Sequence, residues 1–310
     1  MHHSPRLLSF PVLRIIMPMI VVMVAYTSTA SSSTLIAKLV IGLGDVPVLD
    51  DPCDFAWGED GRCYVLNCGS NDVSVFDDHW KLQKYFGRQG AGPGELDNPM
   101  GLCVDAHEIR IYEMSHFDIY SLTGTFQESV HDLPAGSSPF SIGGKIALIS
   151  RYESRTTVHW NHGRDDAAAF QLPSGMNRHW QLVAPPPGRD DLSAVAFDLN
   201  DGFAYEITRS HDVGRPIDLG LGRGQVWSGG GKNVLSGVCQ DDDCGYWILY
   251  YPRRGHPGQL HLFSHAFESV GKWELGDMWV GQVGISPKDE LCLLDSSGSV
   301  LYICEKPAVR

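Results

Sequence analysis

The chain has 310 residues, enough for one large domain or two of ordinary size, and 43% of them are apolar, which suffices for a sizeable core. Acidic residues outnumber basic residues by 37 to 24, and the formal net charge is -13. A surface this negative repels phosphate backbones, so we expect no nucleic acid partner.

The first 30 residues have the pattern of an export signal. Arg6 and Arg14 precede the apolar run IIMPMIVVMVA (15–25), and the small, polar stretch YTSTASSS follows it. Ser28 and Ala30 fit the small-x-small pattern of a cleavage site. We therefore predict a signal peptide over 1–30 and a secreted or periplasmic mature protein.

An uncleaved membrane anchor is the alternative for this segment. The apolar run is about half of the roughly 20 residues that a bilayer-spanning helix needs, and Pro18 interrupts it. The signal peptide is therefore the favoured interpretation, and a membrane contact is expected only if the leader is retained. The mature chain, 31–310, is predicted to be one domain.

Repeated units begin after the strand-like segment TLIAKLVIG (34–42). The first is PCDFAWGEDGRCYVLNCGSNDVSVFDDHWKLQKYFG (52–87), and the second is PMGLCVDAHEIRIYEMSHFDIYSLTGTFQESV (99–130). In both, a short apolar strand after Pro leads through polar turns into three further strands with alternating polarity. Each unit predicts four short antiparallel strands.

Weaker copies of this unit continue to the end of the chain. The six starts, at 52, 99, 139, 178, 235 and 280, are separated by 47, 40, 39, 57 and 45 residues. This spacing is typical of four-stranded propeller blades of about 40 to 50 residues. We predict an all-β fold with almost no helix, a six-bladed β-propeller. The last unit supplies only three clear strands, so 34–42 is expected to add its outer strand and close the ring.

The stretch FGRQGAGPGELDNPMGLCVD (86–105) is rich in glycine, but it is not predicted to bind phosphate. It lacks the Lys of a GK[ST] motif, and a proline-broken strand follows it where a phosphate loop would need a helix. Glycines permit sharp turns, and prolines stiffen them. We predict an inter-blade loop built from Gly87, Gly90, Gly92, Pro93, Gly94, Glu95 and Pro99.

This stretch resembles the signature of NHL-type repeats in exported six-bladed propellers, in which G-x-x-G-x-GPGE precedes an x-x-P-x-G-hydrophobic run and an Asp. The preceding SNDVSVFD (70–77) is similar to the strand that such repeats place before the signature. The resemblance covers about 34–130, and the later units follow it only in length and strand rhythm. It implies the propeller fold but no particular activity, because propellers host many unrelated functions.

Eight cysteines in an exported chain predict disulfide bonds. Cys239 and Cys244 flank a polar turn and are predicted to face each other across a hairpin. Cys292 and Cys304 are nearly symmetric about the turn SSGS and form the second predicted bridge.

Three further cysteines give no predicted bridge. Cys63 and Cys68 are five residues apart on one predicted strand, which directs them to opposite faces and forbids a bond between them. Cys103 lies in an apolar run and is predicted to be a small buried core residue.

Two histidine pairs have spacings that could place metal ligands. His159 and His162 would converge only in a turn, whereas His261 and His265 share a strand face far from the inner edge of a blade. We interpret both pairs as surface or strand-pair residues. The motif HEXXH is absent.

Acidic and aromatic residues provide the other candidates. Most paired acids, including the DDD run at 241–243, are predicted to be solvated turns, although carboxylates could also hold calcium. Asp54 is the exception, because it begins the innermost strand of the first blade and is predicted to face the central channel. Five tryptophans near blade starts or loops could stack on sugars but are interpreted as core residues: Trp57, Trp160, Trp180, Trp227 and Trp279.

These patterns favour an exported binding or interaction module for a protein, peptide or glycan, with no cofactor and no evident catalysis. The alternative is a hydrolase or lyase with an axial calcium or zinc ion. Three or more His, Asp, Glu or Asn side chains converging at one mouth of the channel would favour the enzyme. A structural envelope protein, a third alternative, predicts a broad exposed apolar patch.

Overall fold

The fold is entirely β in a computed structural model of the chain. The described part contains 25 strands and no helix. The structure describes residues 33–35, 37–42, 48–131, 133, 138–142, 145–152, 155–160, 168–173, 180–198, 201–221, 237–251, 258–276, 278–295 and 297–307.

Two N-terminal strands precede three complete blades. The N-terminal strands are β1 (Ser33–Thr34) and β2 (Ala37–Ile41). Blade 1 consists of β3 (Pro52–Trp57), β4 (Cys63–Asn67), β5 (Asp72–Phe76) and β6 (Leu82–Phe86). Blade 2 consists of β7 (Gly101–Val104), β8 (Glu108–Tyr112), β9 (His116–Ser121) and β10 (Phe126–His131). Blade 3 consists of β11 (Ser138–Ile142), β12 (Lys145–Tyr152), β13 (Arg155–Trp160) and β14 (Ala168–Leu172).

The second half of the chain forms the other three blades. Blade 4 consists of β15 (Trp180–Val183), β16 (Leu192–Asp198), β17 (Phe203–Thr208) and β18 (Ile217–Asp218). Blade 5 consists of β19 (Val238–Asp241), β20 (Gly245–Tyr250), β21 (Gln259–Phe263) and β22 (Ser269–Glu274). Blade 6 contains β23 (Gln282–Ile285), β24 (Glu290–Asp295) and β25 (Val300–Glu305).

Within each blade the strands pair in chain order as an antiparallel meander. The N-terminal strands join the last two blades: β2 lies antiparallel to β25 as the fourth strand of blade 6, and β1 lies parallel to β22 at the edge of blade 5. The first strand of each blade begins within three residues of its predicted start, and the six-bladed prediction is confirmed.

The core is divided among the seams between neighbouring blades. Each of six clusters of buried side chains combines residues of two adjacent blades, and together they join all six blades in sequence. This arrangement follows from the alternation along a strand, which directs successive side chains to opposite faces. In β9, for example, Tyr120 packs toward blade 1 and Ile119 toward blade 3.

The glycine-rich segment lies between the last strand of blade 1 and the first strand of blade 2, and no helix follows it. Gly87 and Gly94 adopt the left-handed conformation, with φ of 82° and 77°. The Glu95 carboxylate accepts hydrogen bonds from the backbone N–H of Gly92 (3.0 Å) and from Arg88 Nε (3.0 Å). We call residues 87–100 the crossover; it also contains Gly90, Pro93 and Pro99.

The disulfide arrangement differs from the prediction. The bonded pair is Cys53 and Cys68, with Cα atoms 5.8 Å apart, and the other six cysteines are free. The strand register shifts between Pro52 and Asp54, which leaves Cys53 in a bulge beside the end of β4. Cys63 does not bond to Cys68, in agreement with the prediction, and Cys103 is buried.

Both predicted bridges are contradicted by the strand register. Cys292 lies opposite Ile303, one residue from Cys304, so the two thiols project to opposite faces of blade 6 and enter different seams. Cys239 lies opposite Trp247, whereas Cys244 belongs to the turn and donates its S–H to Asp241 (3.0 Å). All four are thiols in the structure.

The predicted signal peptide, 1–30, lies outside the described residues. The part of the chain that the structure describes contains no helix with the length and hydropathy needed to cross a bilayer.

Candidate functional site

A central cavity of about 370 Å³ lies among the inner strands of the propeller. Five of the six blades contribute described residues to its wall, through β3, β7, β15, β19 and β23. Most of these residues are apolar because the first strand of a blade faces other blades and has little contact with bulk water. The apolar wall includes Phe55, Leu102, Val183, Val238, Val283 and Ile285.

Asp54 lines this cavity, where the sequence predicted it. Its carboxylate accepts hydrogen bonds from the backbone N–H of Phe55 (2.8 Å) and of Leu102 (2.8 Å). Gln282 Nε2 donates a further, short hydrogen bond to the same carboxylate. Asp54 therefore connects the inner strands of blades 1, 2 and 6.

Burial raises the pKa of Asp54 from 3.8 to about 6, although the three hydrogen bonds act in the opposite direction. The part of Asp54 that stays accessible faces the cavity and not the outer surface. A carboxyl held in this way titrates near neutral pH, but its oxygens are occupied by donors of the protein.

The polar groups available in the cavity wall are few. Besides Asp54, the polar lining residues are Cys239, Gln240 and Gln282. Gln282 uses its amide on Asp54 and accepts from the Phe55 N–H (3.0 Å). Gln240 Nε2 donates to the carbonyl of Pro185 (3.1 Å). The side chains of Asp54, Gln240 and Gln282 therefore have little hydrogen-bonding capacity left for a ligand.

The candidate histidines do not gather at the cavity. His159 contacts Ser150 Oγ (2.8 Å) within blade 3, and His265 lies 3.1 Å from the carbonyl of Asp241. His261 is buried in β21, where burial and the Lys272 charge lower its pKa to about 4. His162 lies outside the described residues. Among the described lining residues there is no histidine.

The DDD turn is not simply a solvated surface turn. Asp241 is 3% exposed, accepts from Trp247 Nε1 (2.9 Å) and pairs with Lys306 (2.9 Å). Burial alone would raise its pKa, but hydrogen bonds from Cys244, Trp247 and Lys306 outweigh burial and lower the pKa to about 2. This carboxylate holds blade 5 and the C-terminal segment together.

The tryptophans have different environments. Trp57 lines the cavity, Trp180 is buried in the seam between blades 3 and 4, and Trp279 is 49% exposed before β23. The side chain of Trp160 and all of Trp227 lie outside the described part. These three candidates therefore form no common stacking platform.

A recurring hydrogen bond was missed by the sequence analysis. In three blades, the polar residue at the end of the second strand accepts a backbone N–H from the segment that enters the blade. Asn67 Oδ1 accepts from Asp50 (3.2 Å), Glu113 Oε2 accepts from Asp97 (3.0 Å), and Asp295 Oδ2 accepts from Trp279 (3.4 Å). The sequence separations are 17, 16 and 16, and aligning the blades by this offset would have revealed the pattern.

Comparisons with known proteins place this geometry among six-bladed propellers. No family model matches the chain, and no curated protein matches it. The resemblance to NHL repeats therefore remains a prediction.

Solved structures, by contrast, match nearly the whole chain. Virginiamycin B lyase from Staphylococcus aureus, solved with quinupristin as a catalytically inactive His-to-Ala variant, has a TM-score of 0.52 at 12% identity, covering 86% of this chain and 88% of the lyase. A candidate exported protein of Bacteroides fragilis has a TM-score of 0.56 at 12% identity, covering 86% of each chain. A chain of the mitotic checkpoint complex has a TM-score of 0.54 at 12% identity, covering 98% of this chain and 100% of its own. At such identities the likeness shows the fold alone, and the protein is a six-bladed β-propeller.

Proposed function

We propose that the protein is an exported binding module whose central cavity receives an apolar side chain of a protein or peptide ligand. The observation that carries this proposal is the composition of the cavity wall. Its volume of about 370 Å³ lies within the range of small-molecule and side-chain pockets, about 300 to 1,000 Å³. Most of its lining residues have apolar side chains, as is common in such pockets.

The wall favours a peptide over a glycan. A sugar needs several hydrogen-bonding partners, whereas Asp54, Gln240 and Gln282 already bond to the protein. A leucine, phenylalanine or similar side chain needs only apolar contact and loses water-exposed area on entry. The mitotic checkpoint chain, which has the same fold, belongs to a protein assembly by its description, and this agrees with a role in protein recognition.

An axial metal enzyme is the second candidate, because one structural neighbour is a lyase. The inactive variant of that lyase lacks a histidine. In this protein the described cavity lining contains one carboxylate and no histidine, whereas an axial metal enzyme is expected to bring at least three ligands together. The binding module is therefore the better-supported function.

Export is supported by two independent features. The leader pattern precedes the propeller in the sequence, and Cys53 and Cys68 form a disulfide, which persists in oxidising compartments. The Bacteroides fragilis neighbour is also described as a candidate exported protein.

Peptide display against the purified mature chain tests the proposed function. We expect selected peptides to share a large apolar anchor. Replacing Ala184, which lines the cavity, by phenylalanine should narrow the cavity and weaken binding of the selected peptides about tenfold or more, at least 1.4 kcal/mol. The matched control is Ala266→Phe in an exposed turn, which should leave affinity unchanged.

Three results would contradict this proposal. Equal affinity of the wild type and Ala184→Phe would place the peptide elsewhere. Selection of peptides without an apolar anchor would remove the reason for using the cavity. Binding to a glycan array with loss of binding in Ala184→Phe would assign the cavity to sugars instead.

A further inference from the structure

A histidine and two carboxylates lie together on the face of blade 2 that packs toward blade 1. Glu113 directly follows β8, and His116 and Asp118 are two residues apart on β9, which places their side chains on one face. His116 Nε2 lies 3.8 Å from Glu113 Oε1 and 3.6 Å from Asp118 Oδ1. One atom of each side chain lies within 4.8 Å of the other two.

The two carboxylates are deeply buried: Glu113 is 4% exposed and Asp118 is 2% exposed. Glu113 Oε2 accepts the Asp97 N–H, but Oε1 is buried and has no hydrogen-bond partner. Leaving a buried carboxylate oxygen unpartnered costs about 1 to 3 kcal/mol or more. An oxygen buried without a partner in a native structure therefore calls for an explanation, such as a bound ligand. Glu113 Oε1 points toward His116.

At the equivalent positions in blades 1 and 6, both polar atoms of the side chain have partners within the protein. Asn67 Oδ1 accepts the Asp50 N–H, and Asn67 Nδ2 donates to Asp72 (2.7 Å) and to Ser74 (2.8 Å). Asp295 uses its second oxygen to accept from Ser297 (2.8 Å) and from Gly298 N–H. Both residues complete the shared backbone hydrogen bond and still satisfy their other polar atom within the protein. Glu113 completes the same bond but directs its spare oxygen at His116.

The geometry points to a divalent cation site, with Glu113, His116 and Asp118 as ligands and zinc as the preferred ion. Zinc accepts imidazole nitrogen at about 2.0 to 2.1 Å and carboxylate oxygen at about 2.0 to 2.2 Å. Two ligands at these distances around a tetrahedral ion are about 3.4 Å apart. The two separations from His116, 3.6 and 3.8 Å, thus need to contract by only a few tenths of an ångström, and the two carboxylate oxygens lie within 4.8 Å of each other. Calcium and magnesium prefer oxygen ligands, so the imidazole favours zinc.

Neighbouring groups hold the ligands in place and leave a path for the ion. Ser129 Oγ donates to Asp118 Oδ1 (2.6 Å), and the ring of His131 stacks on that of His116 with centroids 5.2 Å apart. Such contacts orient metal ligands and strengthen binding. The His116 side chain is 23% exposed, so the ion can enter from solvent on its side. Three protein ligands leave a fourth position for water.

Two other groups of metal-ligating side chains do not have these properties. In the group of Asp241, Asp243 and Asp289, Lys306 already pairs with both Asp241 and Asp289. The group of Asp77, Asp78 and His79 lies in an exposed turn. That exposed group also contains two carboxylates and a histidine and supplies a matched control.

The experiment measures zinc uptake by the whole mature protein after chelator treatment and dialysis. We expect one equivalent of bound zinc by elemental analysis, and a thermal midpoint that rises with added zinc. His116→Gln and Asp118→Asn should each weaken zinc binding by about tenfold or more. The double variant Asp78→Asn/His79→Gln should bind zinc as the wild type does.

Because His116 is partly exposed, His116→Gln is expected to fold, and its thermal midpoint in chelator should match that of the wild type. Absorption of the cobalt-substituted protein provides a second measurement, with visible bands of a tetrahedral nitrogen and oxygen site that disappear in His116→Gln. No zinc uptake by the wild type, uptake that His116→Gln leaves unchanged, or uptake lost in the control variant would overturn the proposal. Binding of calcium in preference to zinc would overturn the choice of ion. The central cavity is not involved, so failure of this test leaves the proposed peptide binding untouched.

Discussion

The buried carboxyl of Asp54 predicts a pH dependence of stability that can be isolated by one substitution. Asp54 lines the cavity and accepts hydrogen bonds from the backbone of two blades and from Gln282. Burial raises its pKa in the folded protein from 3.8 to about 6. Asp54→Asn removes the titration while keeping the size and an acceptor oxygen. Asp190→Asn, at an exposed position, is the matched control.

Asp54 makes the protein less stable as the pH rises, because the folded state holds the Asp54 proton more tightly than the unfolded chain does. Between pH 3.8 and about 6 the folded protein retains the Asp54 proton while the unfolded chain releases it. The contribution of Asp54 to stability is therefore full below pH 4 and is lost as the pH rises through 6. The change in pKa of about 2 corresponds to about 3 kcal/mol at 1.4 kcal/mol per pH unit.

The assay is denaturant unfolding of wild type, Asp54→Asn and Asp190→Asn at constant ionic strength between pH 3.5 and 7.5. Other groups titrate in this range, so the informative quantity is the difference between wild type and Asp54→Asn at each pH. We expect this difference to shift by about 3 kcal/mol against the wild type across the window. Parallel curves for the wild type and Asp54→Asn, or a shift of the opposite sign, would refute the assignment of Asp54 as a buried, proton-retaining carboxyl.

Other predictions concern the disulfide, the thiols and the hairpin turns. Replacing Cys53 and Cys68 by serine should lower the free energy of unfolding by about 3 kcal/mol in urea, because a closed loop of about 15 residues restricts the unfolded chain to that extent; no change would contradict the bond. Alkylation of unreduced, denatured protein should add six groups by mass spectrometry, and two or four would reveal further bridges. Gly245→Ala should cost about 2 kcal/mol or more, because φ is 128° and the added Cβ would overlap the Phe263 carbonyl oxygen. Gly188→Ala, with φ of 79° and open space, should cost only about 1 kcal/mol, and equal losses in thermal melts would refute this explanation.

The blades were predictable because each depends on a local pattern. A propeller blade is a meander whose strands pair with their sequence neighbours, so alternation and turn residues within about 40 residues determine it. The start at Pro52 was predicted to the residue, and that of blade 5 was displaced by three, from 235 to Val238. The crossover was also predictable, since glycine permits sharp turns and proline fixes φ without long-range contacts.

The cysteine pairing was not predictable from turn symmetry. One residue of register decides which face a side chain takes, and symmetry about SSGS does not fix the register to one residue. Cys292 therefore faces the seam to blade 1, and Cys304 faces the seam to blade 5. The bond from Cys53 depends on a bulge in β3, for which the sequence has no clear signal.

The candidate site residues were likewise predictable only where their role depends on a local pattern. Asp54 was found because it begins an innermost strand, a property of position within one blade. Glu113 was missed because its significance comes from Asp97 in the crossover and from His116 on the next strand. Asn67, Glu113 and Asp295 all accept a backbone N–H, and only a comparison of their blades shows that Glu113 has a second oxygen without a hydrogen bond.

The hydrogen bonds at Asp54 also explain why an ionisable group lies in a mostly apolar wall. Inner strands of neighbouring blades contact one another through side chains, and backbone ladders do not cross the seams. Asp54 joins β3 to the backbone of β7 and to Gln282 of β23. The pKa of about 6 already includes these hydrogen bonds, so at neutral pH the ionised carboxyl still costs about 3 kcal/mol. The carboxylate thus adds no net stability at neutral pH, but it fixes the relative positions of three blades. A cavity whose wall is held in this way spares a ligand the cost of ordering it, and under the proposed function this favours tight binding of an apolar side chain.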